Sequence, residues 1–169
     1  MADDMRIVKA AAGDIERLEP LWKALHSRHL EIDPALPGIP IRSQEEAWDR
    51  RRRLYAGWLA EKDAFLLTAD LRGWAIGYAL THMKEADESW DTRGRFAVLE
   101  SLSVLPDARH QGVGRRLMSA VYDELRALRI VVLEIGVVAA NAEARRFYER
   151  QGFAPWLVHY LGTIPGPRD

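Results

Sequence analysis

Apolar residues recur along this chain with two different periods, and the switches between them mark its elements. Residues 5–10 form a short apolar run that predicts an opening strand. Gly13-Asp14 offers a helix start, and Ile15, Leu18, Leu21, Trp22 and Leu25 follow at helical spacing to about Leu30. Residues 31–42 hold Pro34, Pro37, Gly38 and Pro40 and predict a loop. Ser43 with Glu46 three places on matches a capping box, opening a second helix to about Glu61. Residues 65–69 and 74–83 read as two strands around a turn at 70–73, and the polar stretch 84–94 reads as a longer loop.

The longest strand-like run covers 95–104 and is closed by Leu105-Pro106-Asp107. Residues 112–128 then place Leu117, Val121, Leu125 and Leu128 on one helical face. The β-branched run 130–138 predicts a strand buried on both faces. Asn141 caps a further helix that stops at Gly152, and residues 153–161 read as a last strand. The order β-α-α-β-β-β-α-β-α-β predicts a mixed α/β sheet, not a strictly alternating, doubly wound one. No repeat or linker divides the 169 residues, which read as one domain.

Composition narrows the function classes. A net charge of −1 argues against a protein that coats nucleic acid, which needs a large basic excess. The chain has no cysteine, so disulfides, thiolate metal sites and a cysteine nucleophile are excluded together. Neither a signal peptide nor an apolar run long enough for a membrane span is visible, which makes a cytoplasmic protein the expectation.

The candidate chemistry begins where the 95–104 strand ends. A short loop leads to Gly112 and Gly114 at the start of a helix, with Arg109, Arg115 and Arg116 alongside. Glycines there let backbone N–H groups approach an anion, and the helix N-terminus adds free donors and its positive dipole end. Taken alone, two glycines also fit an ordinary tight turn. A Walker loop would need Gly-Lys-Ser/Thr, but Arg115-Arg116 follows Gly114. A dinucleotide fingerprint wants a third glycine where Leu117 stands, and Glu134 lies inside an apolar run rather than at its end.

Arg109-His110-Gln111-Gly112-Val113-Gly114 resembles the R/Q-x-x-G-x-G/A signature of the GCN5-related N-acetyltransferases. Upstream, residues 99–106 are similar to that family's central strand. Downstream, residues 141–153 resemble its N-x-x-A-x-x-x-Y-x-x-x-G-F segment. The three motifs span about 96–153. The resemblance implies a mixed, mostly antiparallel central sheet with flanking helices and splayed strands at the cofactor site. The whole of 1–169 would be one acyl-CoA N-acyltransferase domain, with helices and loops of 14–61 and 84–94 on the acceptor side.

The same resemblance implies the roles. Backbone groups around Leu102, Ser103 and Val104 would bind the pantetheine arm of acetyl-CoA as an added strand would. Arg109, Gln111, Gly112, Val113, Gly114 and Arg115 would hold the pyrophosphate, with Asn141 and Tyr148 also facing the cofactor. Tyr148 is the expected proton donor to the departing sulfur. On strict alternation Val98, Glu100, Leu102 and Val104 share one face, so Glu100 would be a carboxylate among apolar neighbours and a candidate base. An ion pair with an arginine is the competing role for it. Without cysteine, direct transfer in a ternary complex to a small-molecule or peptide amine is expected, with neither metal, nucleic acid nor membrane involved. A homodimer stays open. A non-catalytic acyl-CoA sensor of the same fold is the alternative, and a nucleotide-binding oxidoreductase a third reading.

Other features are read as structural. His26 and His29 lack a third ligand at sensible spacing and read as a solvated face. Residues 50–53, four arginines among acidic neighbours, read as a charged helix face. Trp22, Trp48 and Trp58 take core-like helical positions, and Trp90 is a candidate acceptor contact.

Overall fold

Hairpin pairing builds most of the sheet. In the computed structural model, which describes residues 4–32, 39–85 and 91–164, β1 (Met5–Ala10), β2 (Phe65–Leu71), β3 (Trp74–Glu85) and β4 (Arg95–Val104) lie side by side and antiparallel. A fifth strand, β5 (Leu133–Ile135), joins β4 in parallel. Arg72 and Gly73 connect β2 to β3 with φ of 51° and 86°. Two consecutive positive φ angles make the tight turn whose twist suits a hairpin.

Helices cover both faces. α1 (Glu19–Ile32), entered through a 3-10 turn at Ala12–Leu18, and α2 (Gln44–Leu59) pack Leu18, Leu21, Trp22, Trp48 and Tyr55 against Leu66, Tyr78 and Leu80. On the other face α3 (Val113–Ala127) packs Val113, Leu117, Val121 and Leu125 on Leu67, Ala79 and Leu99. Leu117 and Val121 are fully buried, and each such side chain contributes about 1.5–3 kcal/mol of transfer free energy. The short helix α4 (Ala142–Glu149) lies at the open side of the sheet.

Ser43 and Asn141 cap their helices as expected, whereas Gly13-Asp14 does not supply the first N-cap, which falls at Ala11. Ser43 Oγ accepts the Glu46 N–H at 3.2 Å, and Asn141 Oδ1 accepts the Ala144 N–H at 3.1 Å. Asp14 acts from inside its turn, accepting the Ala11 N–H at 2.9 Å.

Two expectations are corrected. The run 130–138 contributes only three strand residues, all half-buried, and Val131 is 58% exposed. Among the described residues β4 is its one strand partner, so it is an edge strand, and the half-burial of its residues shows that its faces are not fully covered. The expected last strand over 153–161 is not formed. Those residues carry no strand, and Trp156, Val158 and Tyr160 stand exposed. Strand propensity needs a partner to pay it back, and β5 offers an edge only three residues long.

Candidate active site

The two strands expected to splay do so. β4 pairs with β5 only through Ala97, Val98 and Leu99, opposite Leu133, Glu134 and Ile135. Beyond Leu99, residues 100–104 keep β3 on one side and face no strand on the other. Among the described residues, that leaves a notch in the sheet beside Leu102, Ser103 and Val104.

The notch leads to the N-terminus of α3. Gly112 is its cap residue, at φ 82°, and His110 two places earlier has φ 59°. No side chain caps this helix and no acid sits in its first turn. α2, by contrast, has Ser43 at its cap and Glu45 and Glu46 in its first turn. The first intrahelical bond runs from the Arg116 N–H to the Gly112 carbonyl at 3.0 Å, so the Val113, Gly114 and Arg115 amides have no acceptor within the helix. Such an end is an anion site in waiting.

Packing ties this loop to its neighbours. A Cβ placed on Gly114 would lie 3.5 Å from the Phe147 ring and 3.9 Å from Val104. The end of β4, the start of α3 and α4 therefore converge there. Arg109 Nε donates to the Val104 carbonyl at 3.2 Å, and Gln111 Nε2 to the Asp107 carbonyl at 2.7 Å. Both side chains brace the loop. Arg116 reaches to the Met5 carbonyl at 2.7 Å, whereas Arg115 is exposed.

α4 delivers Tyr148. Its ring meets Phe147 and Phe153 edge-on, with centroids 5.2 and 6.0 Å away. Burial, and then the nearby Tyr122 phenol, push the Tyr148 hydroxyl above the ordinary phenol range. Gly152 at φ 93° ends the helix, with the Phe153 N–H bonded to the Tyr148 carbonyl and the Gly152 N–H to that of Glu149.

Glu100 departs from expectation. β3 and β4 shift register between Leu80, opposite Ser101, and Thr81, opposite Leu99, so Glu100 is a bulge residue with no partner of its own. One extra residue inverts the alternation. Ala97 and Leu99, then Leu102 and Val104, face the α3 side. Ser101 instead meets Tyr78 at 2.8 Å on the α1–α2 side, and Ser103 Oγ donates to the Leu21 carbonyl at 3.0 Å. Glu100 therefore does not share a face with Leu102 and Val104, and among the described residues its ion-pair partner is a histidine, not an arginine. Its Oε1 lies 2.9 Å from His82 Nε2, and His82 Nδ1 lies 3.1 Å from Glu61 Oε2. The imidazole is 4% exposed and stacks on Trp58 at 5.1 Å.

His82 and Glu61 were missed by sequence reasoning. The available signal was that Tyr78, Leu80 and His82 alternate onto one face of β3, but a bulge in β4 leaves no periodic trace. His26 is not on a solvated face. It stacks on Trp22 at 4.8 Å, and its Nδ1 is buried. Among the described residues no cluster of metal-ligating side chains occurs. The arginine run is a charged face as expected, with Arg50 on Glu46 at 3.3 Å and Arg52 on Asp49 at 2.9 Å. Trp90 lies outside the described residues.

Comparison with known proteins agrees with this architecture. The model of the acetyltransferase (GNAT) family matches residues 22–153. Mycothiol acetyltransferase of Beutenbergia cavernae is 42% identical over 90% of this chain, which spans 47% of that protein's length. The [ribosomal protein bS18]-alanine N-acetyltransferase of Salmonella typhimurium is 33% identical, over 73% of this chain and 84% of its own. The GCN5-related N-acetyltransferase from Ralstonia eutropha JMP134 superposes with a TM-score of 0.74, at 18% identity, covering 96% of this chain and 99% of that one. A notched sheet, an uncapped glycine-entered helix at the notch, and a matched family model over most of the chain lead to one assignment: this chain belongs to the GCN5-related N-acetyltransferase family.

Proposed function

We propose that the protein is an N-acetyltransferase that passes the acetyl group of acetyl-CoA directly to a primary amine in a ternary complex. One observation carries this reading: the uncapped N-terminus of α3, without an acid in its first turn, opens where β4 parts from β5. The residues present suit coenzyme A. The amides of residues 111–115 would receive the pyrophosphate, with Arg109 bracing the loop and Arg115 adding charge. The unpaired edge at Leu102, Ser103 and Val104 would hydrogen-bond the pantetheine arm, with the Asn141 side chain facing the same arm.

Acetyl-CoA supplies the activated thioester. Glu100 takes a proton from the incoming ammonium, directly or through one water, and frees the lone pair for attack. Tyr148, kept protonated by its burial, gives its proton to the sulfur as the C–S bond breaks and regains one from the N–H of the adduct, so that the amide and free coenzyme A leave. The sequence contains no cysteine, so no acyl-cysteine step intervenes.

Thermal-shift measurement with acetyl-CoA, followed by thiol release over an amine panel, tests the reading. The panel includes a peptide beginning with alanine, because the Salmonella relative acetylates a ribosomal-protein alanine by name. Stabilisation by acetyl-CoA and release with at least one amine is the expected result. Stabilisation without release on any amine favours a non-catalytic sensor, and no stabilisation sinks the reading.

A further inference from the structure

We propose that Glu61, His82 and Glu100 form one charged triad in which His82 positions the Glu100 carboxylate, holding Oε1 and leaving Oε2 to the amine. This rests on the acyltransfer reading above and names how its base is held. Each ring nitrogen of His82 lies within hydrogen-bond distance of a carboxylate, at 2.9 Å to Glu100 and 3.1 Å to Glu61. A neutral imidazole has one N–H and can donate to one of them. Both bonds are made together, without protonating a carboxyl, when the ring carries two protons between two carboxylates, a set with net charge −1. Trp58, stacked at an interplanar angle of 19°, holds the ring against rotation out of that line. Glu100 Oε2 has no partner among the described residues, and the bulge turns the side chain away from the regular ladder.

The arrangement divides the labour among three groups. Nε2–H fixes Oε1, so the free oxygen has one orientation for the ammonium N–H. Oε2 takes one ammonium proton, the freed lone pair then attacks the thioester carbonyl, and after product departs the proton passes from Glu100 to water. Glu61, whose side chain is 47% exposed, lies opposite Nδ1 at 3.1 Å and fixes the other end of the ring. The other groups on this side are Arg51, over the Tyr55 ring at 5.7 Å, and the Tyr55–Tyr78–Ser101 hydrogen-bonded chain. His82 thus touches no substrate and is a positioning residue.

The test compares full-length wild type, His82→Gln and Glu61→Gln on whichever amine wild type acetylates, with acetyl-CoA thermal shifts alongside. Expected for His82→Gln is a kcat lower by about 10- to 100-fold with an unchanged acetyl-CoA KM, a split that a general loss of folding would not produce. Glu61→Gln, on a half-exposed side chain, repeats the effect more weakly and carries the test if His82→Gln does not fold. A folded Glu61→Gln variant with wild-type kcat overturns the triad. A wild type that releases no thiol with any amine overturns the acyltransfer reading first, and the triad with it.

Discussion

Tyr148 carries a hydroxyl with no hydrogen-bond partner among the described residues, on a ring packed against Phe147 and Phe153. The two facts separate its packing from its chemistry. The ring stabilises the α4 side of the core, and removing only the oxygen leaves no partner group unsatisfied. Because burial raises its pKa, the phenol remains a donor across the neutral and mildly alkaline range. Tyr148→Phe is therefore expected to lower kcat by about 100-fold while the melting temperature stays within a few degrees of wild type. Steady-state kinetics and a thermal melt on the same preparation check this. A variant with full turnover would remove Tyr148 from the mechanism. The residue was singled out by the resemblance of residues 141–153 to the family segment, since spacing alone would make it a core aromatic on an amphipathic helix. Glu100 was singled out too, but its surroundings were not. Its neighbours depend on one extra residue in β4, and the amino-acid order around it, Val-Leu-Glu-Ser-Leu, shows no mark of the bulge.

At the level of elements, helix ends explain both what was readable and what was not. α4 and α3 close with the same motif. In α4 Gly152 takes the left-handed position, whereas in α3 the exposed Arg129 takes it, at φ 58°. The Ile130 N–H bonds back to the Leu125 carbonyl at 2.9 Å and the Arg129 N–H to Arg126 at 3.0 Å, which completes the match. A glycine after a helix announces its stop, so 152 was foreseen, while an arginine in the same role gives no signal. The left-handed region costs a residue with a Cβ roughly 1 kcal/mol. Arg129→Gly is expected to raise unfolding free energy by about 0.5–1 kcal/mol, offset slightly by the greater entropy of the unfolded glycine chain. Urea denaturation would detect it as a higher midpoint with an unchanged slope. A lower midpoint would mean that the Arg129 side chain contributes more than its backbone angle costs. The strands follow a similar logic. Those whose partners are hairpin neighbours, β2 and β3, were read from two strand-like runs around the turn that joins them. β5 and residues 153–161 needed a distant partner that periodicity does not specify, so their extent was overestimated.

For the whole molecule, the sheet has two unlike sides. The α3 side is apolar, while the α1–α2 side carries a buried hydrogen-bonded chain in which Tyr55 meets Tyr78 at 2.9 Å and Tyr78 meets Ser101 at 2.8 Å. Both tyrosines are fully buried, and that burial pushes each phenol above its ordinary range. The consequence for stability has a definite sign. In the unfolded chain these phenols ionise near pH 10, whereas in the fold they keep their protons beyond it. Above that pH the unfolded state binds fewer protons than the native state, so stability falls as pH rises, and below it their contribution is fully present. Each phenol adds about 1.4 kcal/mol of loss per pH unit in that window. Denaturation midpoints measured from pH 8 to 11 should be level at first and then fall steeply. Tyr55→Phe removes one of the phenol protons at stake, leaving those of Tyr78, Tyr148 and Tyr122, and should make the fall shallower, even if its stability at pH 8 is lower. Equal slopes in the two proteins would show that Tyr55 ionises freely in the fold, and that the hydrogen-bonded chain beneath Glu100 is open to water.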